Sequence, residues 1–101
     1  MRKITEEALN AFITGRPMKK QNTEVRVTSI NSFQMLLHGN IIAERRGNKL
    51  HVRNCGWETS TTKERLNAVL NHYKHPNICV RQFVMYIGSE PMGNKTHTFK
   101  I

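Results

Sequence analysis

The sequence predicts an α+β domain: an N-terminal helix, an antiparallel β-meander, a second helix and a C-terminal β-hairpin. Three observations support this. Two segments carry apolar residues at helical spacing between start and stop signals. Between them, alternating runs are punctuated by Gly39-Asn40 and Gly47-Asn48, a pairing suited to the positive φ angles of two-residue hairpin loops. After the second helical segment, residues 78–87 (ICVRQFVMYI) read as strand. With 101 residues the chain has material for one modest core and is read as one domain, 1–101.

The first helix is predicted over Thr5 to Thr14. Thr5 is its cap, Glu6 and Glu7 sit where the helix dipole favours negative charge, and Ile4 and Leu9 form a staple. Ala8, Leu9, Phe12 and Ile13 make an apolar stripe. Gly15 and Pro17 end it, and Arg16 to Asn22 is a basic connector. Glu24 to Thr28 alternates as a strand, and Asn31-Ser32 turns the chain into the meander of residues 33–54. Thr61-x-x-Glu64 is a capping-box pattern, so the second helix is expected from Thr62 to Tyr73, with Leu66, Val69, Leu70 and Tyr73 inward. Residues 78–87 are one long strand or two short ones bent near Arg81-Gln82. Gly88 to Lys95 is a loop, and Thr96 to Ile101 is a closing strand with His97, Phe99 and Ile101 on one side.

Two-residue loops would fix the register of the meander and assign each side chain to a face. Residue 38 then opposes 41, 36 opposes 43, 45 opposes 50 and 43 opposes 52. Leu36, Ile41, Ala43, Leu50 and Val52 form the core face. Arg46, Lys49, His51 and Arg53 gather on the other, with Glu44, Met35, Leu37 and Ile42 beside them.

Sixteen Lys and Arg against seven acids give a net charge of +9, which points to a polyanion as partner. The acids are all Glu, with no Asp, so the clustered carboxylates of two-metal phosphoryl chemistry are not expected. Cys55 and Cys79 are too few for a disulfide scaffold and are read as reduced thiols of a cytosolic protein. No apolar run resembles a signal peptide or approaches a membrane span, so no membrane partner is expected.

LHGNIIA (Leu37 to Ala43) and NCGWETSTTKERLN (Asn54 to Asn67) carry a resemblance over the middle third of the chain. They resemble small tailed-bacteriophage proteins that share Leu-His-Gly-Asn-x-Ile-Ala, then Asn-x-Gly-Trp leading into Thr-Thr-Lys-x-Arg-Leu-Asn. The segment after Ile78 departs from that pattern. The resemblance implies a phage origin and action in a bacterial host cytoplasm, and supplies no activity.

The candidate nucleic-acid-binding residues are Arg45, Arg46, Lys49, His51 and Arg53 on the sheet, with Lys63 and Arg65 on the second helix. Basic residues on a sheet neutralise phosphates, and a helix N-terminus favours anions. The competing reading of the sheet is an ordinary solvated face, and that of Thr61 is a plain cap. Trp57 is read as a core anchor, with stacking on a base as the alternative. His72-x-x-His75 with Cys79 and Cys55 is not a standard zinc spacing, and no metal or other cofactor is expected. The leading expectation is a non-enzymatic protein binding DNA or RNA. The alternative is an inhibitor or modulator of a host protein complex, such as a polymerase, nuclease or defence system. The third is a metal-independent ribonuclease with His38 as general base. The sequence sets neither the target nor the oligomeric state.

Overall fold

The computed structural model describes residues 2–101. The element order is α1 (Lys3–Thr14), β1 (Met18–Lys20), β2 (Thr23–Ser29), β3 (Ser32–Leu37), β4 (Asn40–Arg46), β5 (Lys49–Val52), α2 (Ser60–His72), β6 (Ile78–Arg81), β7 (Val84–Ile87), β8 (Glu90–Pro91) and β9 (His97–Lys100). The α+β class is as expected. A six-stranded antiparallel sheet runs β1-β2-β3-β4-β5-β9, and β6-β7-β8 form a small second sheet. Residues 78–87 are therefore two strands, and the closing strand joins the main sheet beside β5.

Both helices and the small sheet pack on one face of the main sheet. Ala8 and Phe12 of α1, Leu66, Val69 and Leu70 of α2, and Ile78, Met85 and Ile87 of the small sheet share one cluster with Val25, Met35, Leu37, Ala43, Leu50 and Val52. Asn67 ties α2 to β6: its amide donates to the Ile78 carbonyl at 3.0 Å, and its Oδ1 accepts the Ile78 N–H at 2.6 Å.

The helix starts differ from the sequence expectation. α1 begins at Lys3, with Arg2 at the cap position and no side-chain cap. Thr5 instead lies buried against α2, where its hydroxyl donates to Glu64 and accepts from Arg65. At α2 the cap is Thr59, whose Oγ1 accepts the Thr62 N–H at 3.2 Å. This frees Glu64 for Thr5, Arg2 and Arg65, a use that outweighs a capping box. Gly15 closes α1 as expected, in the left-handed region at φ 71°. A Cβ there would sit 2.6 Å from the Phe33 ring, so only glycine permits this close approach.

The second meander turn follows the expected register, with Arg45 opposite Leu50 and Ala43 opposite Val52. The first does not. Its loop is His38-Gly39, both at positive φ (51° and 79°) as in a type I′ turn. Leu36 opposes Ile41 and Met35 opposes Ala43, so Ile42 is the extra residue of a β-bulge. The bulge reverses the assignment above it. Met35, Leu37 and Ile42 join the core, and Leu36 and Ile41 move to the outer face.

Candidate nucleic-acid interface

Directly opposed residues in an antiparallel sheet share a face, so the pairings define the outer face strand by strand. Glu44 faces His51, and His51 faces Thr98. Arg46 faces Lys49, which in turn faces Lys100. Arg53, two residues beyond His51, continues the same side. A hollow of about 90 Å³ is lined by Ile41, Glu44, Arg46, His51, Arg53 and Thr96. Arg46, Lys49, His51 and Arg53 are thus brought together, and their register lies below the bulge that displaced their apolar neighbours.

The charge on this face is unbalanced. Glu24 is taken by Arg26 at 3.0 Å, and Glu44 by Gln34 at 3.1 Å and Arg46 at 3.5 Å. Among the described residues, neither Lys49 nor Lys100 pairs with a carboxylate. Arg53 anchors its Nε on the Ile41 carbonyl at 2.9 Å, which fixes the guanidinium and leaves its other donors free. His51 Nδ1 lies 2.8 Å from the Thr98 hydroxyl. Arg46, Lys49 and Lys100 therefore form a row of exposed cations across three adjacent strands. Strands in a sheet are about 4.8 Å apart, and like charges directly opposite one another destabilise it. The fold gains nothing from such a row, whereas a polyanion would relieve it.

Three candidates fall elsewhere. Arg45 lies on the other side of β4, its guanidinium 5.7 Å from the Phe33 ring and its Nε donating to the Gly47 carbonyl at 3.2 Å. Lys63 is on α2, in the layer covering the opposite face. Arg65 is only 1% exposed. It donates to Glu64 at 2.8 Å, to Thr23 at 3.2 Å and to the Thr5 hydroxyl, so it serves the interior rather than a phosphate. The sequence reading also missed Lys19, Arg26 and Lys100. Register sets Lys19 opposite Glu24 and Arg26 opposite Gln34 on the outer face. The alternation of His97, Phe99 and Ile101 held the signal for Lys100, but its strand partner lay far off in sequence.

Trp57, expected in the core, is 54% exposed. Among the described residues, no three His, Cys, Asp or Glu side chains converge in a metal-binding group, and Cys55 and Cys79 are free thiols. No helix among the described residues is long and apolar enough to cross a membrane.

Fold and face define a small two-layer α+β protein whose main sheet is covered on one side and cationic on the other. The chain belongs to the Kyanoviridae Gp96 protein family, a family of cyanophage proteins, whose model matches residues 1–100. The expectation of a phage protein is borne out. No curated protein and no solved structure matches the chain.

Proposed function

We propose that this phage protein is a non-enzymatic nucleic-acid-binding protein that acts in the host cytoplasm and holds the phosphate backbone on its outer sheet face. The observation that carries this reading is the row Arg46–Lys49–Lys100, three opposed cations with Arg53 beside them. Counterion release from phosphates would turn their mutual repulsion into binding energy. Lys49→Glu is expected to lower affinity for a mixed-sequence oligonucleotide several-fold in a gel shift. Lys3→Glu, an equal change of charge on the helix layer, should leave affinity nearly unchanged. Equal losses from both variants would reduce the effect to net charge and remove the face from the account.

One observation favours the second reading, an inhibitor or modulator of a host protein. The β6–β7 turn presents Phe83 at 99% exposure between Val80 and Val84, themselves 47% and 43% exposed. Exposed apolar groups clustered in this way mark protein contacts. A host protein retained from nuclease-treated lysate by the wild type and lost with Phe83→Ser would favour it over the sheet face.

A further inference from the structure

A second concavity opens beside the His38-Gly39 turn, on the side of the sheet where α2 packs, and the backbone-binding reading leaves it unused. It measures about 180 Å³ and is lined by Leu37, His38, Ile42, Asn54, Trp57, Thr59, Thr61 and Thr62. The bulge residue Ile42 borders both this cavity and the hollow beneath Arg46 and Arg53. The two are therefore neighbours, joined by the short segment Arg53-Asn54.

Two aromatic rings, His38 and Trp57, border the cavity, each carried by a tight turn. Trp57 follows a turn in which Cys55 and Gly56 are both at positive φ (55° and 82°). The Trp57 N–H donates to the Asn54 carbonyl at 2.8 Å, and Asn54 Oδ1 accepts the Gly56 N–H at 2.8 Å. Asn54 itself is 1% exposed. The indole is thus presented to solvent by a built turn and is not a frayed loop residue. His38 stands opposite on the His38-Gly39 turn, itself exposed and in the left-handed region at φ 51°. Bulky residues are uncommon there, and such conformations gather at functional sites. The ring centroids of His38 and Trp57 are 6.5 Å apart and their planes are tilted by 40°. The two rings therefore border one opening without closing it, and the Trp57 face is the one presented for stacking. Leu37 and Ile42 line it with apolar surface, and Thr61 adds a hydroxyl at the edge.

We infer that the cleft between Trp57 and His38 takes one unpaired nucleobase of a single strand whose phosphates run onto Arg53 and the cationic row. The inference deepens the backbone-binding reading and rests on it. The cavity is smaller than the roughly 300 Å³ at which drug-sized sites begin, so it suits a base with its sugar and phosphate outside. Duplex bases are already stacked on both faces and cannot enter. Stacking on aromatic side chains tolerates any base, so the site selects strandedness more than sequence.

Trp57 is the sole tryptophan, so its fluorescence reports on the cleft directly. The test titrates the protein with dT, dA and rA homopolymer oligonucleotides, with a duplex and with inorganic polyphosphate, all at one ionic strength. Binding is followed in parallel by competition with a labelled strand. Single strands are expected to quench the emission saturably, whereas duplex and polyphosphate compete without quenching. Comparing dA with rA assigns the sugar, and quenching by either supports the cleft. Trp57→Ala, at an exposed position, should keep its circular dichroism and lose roughly tenfold or more of single-strand affinity. Its affinity for polyphosphate should hold, and Trp57→Phe should restore most of the loss. His38→Asn, which tolerates the turn's positive φ, should weaken single strands in the same direction. Equal binding of single strands, duplex and polyphosphate with no change in Trp57 emission would overturn the cleft and leave the basic face standing. Failure of every polyanion to bind would overturn both.

Discussion

Arg65 shows how a charged residue on a predicted solvent face becomes part of the interior. It lies where α1, α2 and β2 meet, and its guanidinium satisfies Thr5, Thr23 and Glu64, which come from all three elements. Truncating Arg65 takes the buried donor from the Thr5 and Thr23 hydroxyls and opens a cavity, so Arg65→Ala is expected to destabilise the protein by about 3 kcal/mol, read from the midpoint of urea unfolding. Arg65→Lys should recover little, because one ammonium cannot reproduce the fork. An unchanged midpoint for Arg65→Ala would show that the network is ornamental. Glu64 lies in the same network. The Thr5 hydroxyl holds its carboxyl below the usual range, and Arg2 and Arg65 help against the opposing effect of burial. Its folded pKa is thus lower than its unfolded one. The stabilisation is complete above the ordinary glutamate range near pH 4.5 and fades as pH falls through the lowered value. Glu64→Gln should therefore flatten the acid limb of thermal stability below pH 4.5 and change its slope little near neutrality.

At the scale of elements, legibility followed the locality of the signal. Gly15, at the end of an apolar stripe, marked the α1 stop because a left-handed residue there is a local requirement. Gly47-Asn48 marked the second hairpin because Gly47 alone supplies the positive φ at its first central position. The first hairpin misled because LHGN allows two centres. The chain turns on His38-Gly39 and absorbs the offset in the bulge at Ile42, a device without a short-range signature. The cationic set survived because Arg46, Lys49, His51 and Arg53 are positioned by the other turn. The β6–β7 hairpin places Gln82 and Phe83 at positive φ (50° and 66°) in its loop. A left-handed phenylalanine costs about 1–2 kcal/mol, and Phe83 repays none of it by burial. Phe83→Asn is therefore expected to stabilise the fold by about 1 kcal/mol, raising the melting temperature by about 4–8 °C. A drop in melting temperature would mean that the ring makes stabilising contacts after all.

The whole molecule is sided. One face of the main sheet is filled by both helices and the small sheet, and the other carries the row Arg46–Lys49–Lys100 beside the paired Glu24 and Glu44. The surplus behind the net charge of +9 is thus partly arranged, not merely dispersed. Composition pointed to a polyanion, but it could not show that β9 would return beside β5 and bring Lys100 next to Lys49. That pairing joins residues about half the chain apart, and no local pattern encodes it. Nor could composition show that Trp57 would be turned outward beside the start of α2, since a tight turn at Cys55-Gly56 decides it.

The slope of log affinity against log salt tests the central claim most directly, measured on a single-stranded oligonucleotide for the wild type and Lys49→Glu. Four phosphate contacts at Arg46, Lys49, Arg53 and Lys100 give an expected slope of about −3, and the variant should lose about 0.7 of it. A wild-type slope near zero, or one that Lys49→Glu leaves untouched, would contradict the proposed backbone-binding face.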